Sequence, residues 1–199
     1  MPDWLSVADR KVRMRSKHVA PFDDNSGSIQ AQLAAGVLRH LDDDRWFHQT
    51  RAFVETTATM ASEFRRVIGV DDNFRPGFLG HITTELLLDA ELMQRYPGRL
   101  EEYYTALTTV DADQVQTAVN RMSRVQSTNL ADFVRAFCDM RFLFDYEDSS
   151  RLLGRLNQVM RRVKLDRLPP EVIGVLNNGR KIVAAAADAL LSRDSIADG

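Results

Sequence analysis

Cysteine is nearly absent from this chain of 199 residues: Cys138 stands alone. That excludes an internal disulfide framework and fits a reducing compartment. Its flank, VRAFCDM, reads as the buried face of a helix, so an inert core thiol is expected rather than a nucleophile. An excess of positive charge is missing too. Lys and Arg number 26 against 28 Asp and Glu, a formal net charge of −2, which argues against a nucleic-acid partner. No run approaches the roughly 18 apolar residues of a membrane span. The N-terminus, MPDWLSVADRKVRMR, has neither the apolar stretch nor the small-residue cleavage site of a secretory signal. A cytoplasmic protein without a membrane partner is the expectation, although the abrupt start on MPDWL leaves room for an upstream piece. The chain also lacks G-x-S-x-G, a Walker loop, G-x-G-x-x-G and an adjacent His-Asp pair, the signatures of the common hydrolase, nucleotide and HD-domain chemistries.

Strand signals are absent as well. No window alternates with period two, and no Asn-Gly or Asp-Gly turn joins alternating runs. What the chain does have is 44% hydrophobic and 27% charged residues, an ordinary globular composition, with apolar positions recurring at helical spacing. The expected fold is all-α, a single bundle-like domain over residues 1–199 of about seven to eight helices.

Residues 1–20 form a docked N-terminal segment. Its basic run from Arg10 to Lys17 is either a solvated face or a patch for a phosphate-bearing or acidic partner. Ser26 or Ser28 caps a helix from Ile29 to about Asp43, which the triple aspartate 42–44 weakens. A long helix follows from Trp46 to Ile68, stopped by Gly69. After the loop VDDNFRPG, Pro76 opens a central helix that ends at Tyr96-Pro97-Gly98. Shorter helices cover 100–107, 112–123 (opened by Asp111 with Gln114), 130–144 (capped by Ser127, Thr128 or Asn129) and 149–165. The last spans 171–192, with Asn177-Asn178-Gly179 kinking or splitting it, and residues 193–199 are a frayed tail.

Histidine is as scarce as four residues, and three of these lie in two segments of matching pattern. GVLRHLDDDRWFH carries His40, Asp44 and His48; GHITTELLLDAEL carries His81, Glu85 and Asp89. Groups four apart on a helix point the same way, so each segment presents metal-binding groups on one face. Leaving them buried and unpaired would cost several kcal/mol. A metal is one remedy, and a network of salt bridges and hydrogen bonds is the other. Eight residues rise about 12 Å, so the first and last members of a straight triplet cannot share an ion. They would serve two ions, or one would orient a ligand from behind. If the helix breaks at 42–44, His48 folds back and Asp43 replaces Asp44.

Mixed imidazole and carboxylate ligands suit manganese, iron or zinc. An ion held this way lowers the pKa of bound water and neutralises a phosphoryl oxygen. Asp43 or Glu85 would take the proton, and Arg45, Arg51 and Arg141 would neutralise a phosphate.

Gly36-x3-His40-x3-Asp44, an aromatic and a further polar ligand, and then a helix with an acidic pair four apart resemble the acyl carrier protein phosphodiesterases over roughly residues 30–95. The resemblance implies an all-helical fold related to HD-domain phosphohydrolases. It also implies manganese-dependent release of phosphopantetheine from acyl carrier protein. The chain departs from the family in having His81-x3-Glu85-x3-Asp89 where that family has Asp-x3-Asp-His, and His48 in place of an Asp and a His. No amino-terminal His is evident, and Asp3 or Asp9 matches the early acidic position only loosely. The expected function is a metal-dependent phosphoesterase-like hydrolase. The alternative is a non-catalytic helical interaction module in which buried His–carboxylate pairs fix helix register.

Overall fold

The computed structural model describes residues 2–69 and 73–193. Among them it is all-α, without a strand: ten α-helices and two 3-10 turns. The count exceeds the expected seven to eight partly because the N-terminal segment holds two short helices, α1 (Pro2–Ala8) and α2 (Ser16–Val19). The others are α3 (Ile29–Gln49), α4 (Arg51–Ile68), α5 (Pro76–Arg95), α6 (Arg99–Thr108), α7 (Ala112–Met122), α8 (Leu130–Met140), α9 (Ser149–Arg162) and α10 (Val172–Leu191). Of the expected loop 70–77, residues 70–72 lie outside the described residues, as does the expected frayed tail apart from Arg193.

The chain divides into two compact units, Met1–Arg45 with Glu101–Arg141, and Trp46–Leu100 with Phe142–Gly199. The first buries Leu5, Val12, Val19, Val37, Val119 and Leu130. Trp4 packs on Phe137, with ring centroids 4.9 Å apart. Its α8 starts on an acceptor that sequence spacing does not reveal. Asn129, at the N-cap, makes no side-chain cap bond. Instead the Asp9 carboxylate accepts from Thr128 N at 3.2 Å, Asn129 N at 3.1 Å, Asn129 Nδ2 at 2.9 Å and the Ser127 hydroxyl. α8 ends at Met140, short of the expected Phe144, because Arg141 turns left-handed at φ 46°. Its guanidinium is held by Glu101 at 2.5 Å and lies over the Tyr104 ring.

The second unit is built on α4, α5 and α10, around Met60, Phe64, Leu79, Leu87, Leu176 and Val183. Two glycines set how closely these helices approach. At Gly80 a Cβ would stand 2.6 Å from Thr57 O and 2.7 Å from Ala61 N, so α5 lies against the backbone of α4. Gly179 faces Met60 and Leu87 in the same way, with a Cβ 2.6 Å from Met60 Cε and 2.8 Å from Leu87 Cδ1. The expected split at Asn177-Asn178-Gly179 is therefore corrected: α10 is one helix, and its glycine serves close packing.

The triple aspartate does not end α3 either. Asp42 and Asp44 are exposed, where aspartate costs only about 0.7 kcal/mol or less. The break comes at Thr50, whose hydroxyl donates to Phe47 O at 2.9 Å and accepts from Phe53 N at 3.2 Å. One buried side chain thus closes α3 and caps α4, and the helix expected from Trp46 begins at Arg51 instead.

Candidate metal centre

The corner at Thr50 leaves His48 in the last turn of α3, and the Gly80 contact holds the start of α5 against α4. His81 follows Gly80 directly, and Glu85 lies one turn on, on the same face of α5. His48 Nε2 donates to Glu85 Oε1 at 2.7 Å. His81 Nε2 lies 3.1 Å from the same oxygen. The two imidazoles are 4.7 Å apart between centroids. Phe53, 3% exposed, closes the inner side: its ring lies 4.8 Å from that of His48 and 5.0 Å, edge to face, from that of His81. Phe47 extends this apolar wall, 4.7 Å from Phe53.

Ligand atoms of His48, His81 and Glu85 lie within 4.8 Å of one another, the one group of this kind among the described residues. Ligands about 2.0–2.1 Å from a zinc-sized ion are separated by about 3.3 Å in a tetrahedron and about 2.9 Å in an octahedron. The observed 2.7 and 3.1 Å lie within about 0.2 Å of the octahedral separation and about 0.2–0.6 Å short of the tetrahedral one. The side chains are 29%, 42% and 37% exposed, so the group is open to solvent on its outer side.

The other residues singled out by spacing lie elsewhere. Asp89 is an exposed residue of α5, one turn beyond Glu85 and outside the triad. His40 and Asp44 belong to the first unit, where they line a cavity of about 250 Å3 with Asp3 and Arg13. There His40 Nε2 is 3.6 Å from Asp3 Oδ2. Asp43 is also in that unit, half-buried on α3. The three arginines assigned to phosphate are each engaged: Arg45 with Asp42 at 3.5 Å, Arg51 with Glu55 at 2.7 Å, and Arg141 with Glu101. Of these, only Arg51 belongs to the unit that holds the triad.

Burial, with Asp139 beside it, pushes the Cys138 thiol up, so it carries little thiolate and is a poor nucleophile. Sequence reasoning missed the aromatic wall, because Phe47 and Phe53 have the spacing of ordinary core residues. It also missed the corner at Thr50, which follows no capping-box pattern.

No family model, no curated protein and no solved structure matches the chain.

Proposed function

We propose that the second unit is a mononuclear metal centre of a phosphoester hydrolase, with His48, His81 and Glu85 as the protein ligands. The observation that carries this reading is the convergence of two imidazole nitrogens, from separate helices, on one oxygen of Glu85 in a half-open recess. Two imidazoles and a carboxylate favour zinc, iron or manganese over calcium. Such an ion lowers the pKa of a bound water to about 7 and polarises a phosphoryl oxygen. Held by these three residues, the ion would supply an activated water for hydrolysis of the ester P–O bond, the water's oxygen going to phosphorus and its proton to the departing alcohol.

Arg51 is the arginine for the phosphate. It opens α4 three residues after His48, and swinging off Glu55 would bring a second positive group to that corner beside the positive end of the helix dipole. Phosphopantetheine on acyl carrier protein is one substrate of this class.

One observation favours a second reading. Glu85 Oε1 is already within hydrogen-bond reach of His48, so the triad also works as a cross-link fixing the register of an interaction module without any ion. Hydrolysis separates the two. Protein stripped with a chelator and reloaded with zinc, manganese or iron should cleave phosphomonoester or phosphodiester model substrates, and the His81→Ala variant should not. A reloaded protein silent on both substrate types would leave the triad as a structural element.

A further inference from the structure

The arginines of this protein divide into two populations. Those at 45, 51, 66, 95, 135, 141, 151 and 155 each lie within 4.0 Å of a carboxylate. Another set lies on the first unit: Lys11, Arg15, Lys17 and Arg124. From Arg10 to Phe22 the chain holds five Lys and Arg and no Asp or Glu. Lys11, Arg13, Arg15 and Lys17 are all exposed, and so is Arg124. No ion pair joins Lys11, Arg15, Lys17 or Arg124 to a carboxylate among the described residues, whereas Arg13 shares a recess with Asp3 and Asp44. The nearest acid in sequence, Asp9, is already taken by Ser127, Thr128 and Asn129. Burial, and then the charges of Arg124, Lys17 and Arg15, hold the His18 imidazole below its usual range, so all three cations act on one side chain of α2.

The backbone that carries this charge is anchored. Lys11, Arg13 and Arg15 alternate with Val12, 1% exposed, and Met14, 8% exposed. Arg15 has an extended backbone (φ −121°, ψ 134°). The alternation places Lys11, Arg13 and Arg15 on the solvent side of the segment. Between Val12 and Ser16 the backbone groups of Arg13 and Met14 make no hydrogen bond to another described residue. A cationic strap anchored by Val12 and Met14 and extended at Arg15 is the chemistry that receives a chain of opposite charge.

We propose that this strap, together with Lys17 on α2 and Arg124, is a docking surface for an acidic peptide of a partner protein. Single-stranded nucleic acid fits less well, because Lys11 to Lys17 includes no aromatic side chain on which a base could stack. A lipid surface fits less well too, because the apolar side chains of the strap (Val12, Met14 and Val19) are buried and unable to enter a bilayer.

The test is fluorescence anisotropy with the full chain and a labelled Glu-rich peptide of about twelve residues, at about 50 mM and about 300 mM salt. Saturable binding that weakens steeply with salt is expected. The triple variant Arg15→Gln, Lys17→Gln, Arg124→Gln should weaken it by roughly 3- to 150-fold, the sum of three exposed pairs. A second variant with the same loss of charge, Arg161→Gln, Arg167→Gln, Lys181→Gln, should stay within about twofold of the parent. Three results would overturn the proposal: no binding at low salt, equal losses in the two triple variants, or tighter patch-dependent binding to an oligonucleotide or to phosphatidylserine vesicles than to the peptide.

Discussion

Gly80→Ala tests how the fold places the site. The added methyl would stand 2.6 Å from Thr57 O, 2.7 Å from Ala61 N and 3.0 Å from Ala61 Cα. Contact distances near 3.5 Å require α4 and α5 to part by roughly 0.5–0.9 Å. All three atoms are backbone, so no side-chain rotation relieves the overlap, and the cost belongs at the upper end of the ~1–3 kcal/mol range for overpacking. Alanine returns about 1 kcal/mol of helix propensity. The net expectation is a destabilisation of about 1–2 kcal/mol, or a fall in Tm of roughly 2–8 °C for a chain of this size. Gly179→Ala is the control, because there the overlapping atoms are the flexible ends of Met60 and Leu87. It should cost less, within about 1 kcal/mol of the parent, as the helix gain offsets the repacking. Thermal melts of the three proteins decide the matter. A Gly80→Ala protein as stable as the parent, or one less perturbed than Gly179→Ala, would mean that the close approach of α4 and α5 does not hold this corner together.

Two other perturbations act on the first unit. Asp9→Ala removes the charged acceptor of Ser127, Thr128 and Asn129, just ahead of α8, and should cost about 1.5–3 kcal/mol, as lost hydrogen bonds to charged groups do, measured by urea denaturation at neutral pH. Burial pushes the Asp9 carboxyl up, but hydrogen bonds from Ser127, Asn129 and Thr128 outweigh this and leave it below its ordinary value. Its contribution is therefore present above the unfolded pKa and lost as pH falls through the lower folded value. The gap between parent and Asp9→Ala should close in acid below about pH 4. His18 has the opposite charge and the same direction of shift. The unfolded chain binds its proton more readily, so stability should rise with pH up to the unfolded value near 6.5, and the rise should flatten in His18→Gln. An unchanged slope in that variant would remove His18 from the account.

Much of the helical fold is legible in the sequence, because apolar spacing and local stop signals act over one turn. Gly69, Pro76, Asp111 and Ser28 mark helix ends where the structure has them. Features set by distant contacts are not legible. Asp9 holds the lead-in to a helix about 120 residues away. Gly179, in an apparent helix breaker, is a packing residue, and only the position of Met60 and Leu87 reveals that. The metal-binding groups show the same limit. Periodicity identifies His81 and Glu85 as neighbours on one face of α5 and places His40, Asp44 and His48 on one face of α3. It does not tell which element meets each end of that face. The last turn of α3 brings His48 to Glu85, whereas His40 and Asp44 meet Asp3 in a different recess.

Metal titration of the chelator-treated protein tests the central claim most directly, with cobalt(II) absorption or calorimetry with zinc as the readout. The account predicts one ion per chain for the parent and for His40→Ala, and a loss of at least about tenfold in affinity for His48→Ala, His81→Ala and Glu85→Gln. A parent that binds no ion, or one whose ion is lost in His40→Ala and kept in His48→Ala, would contradict it.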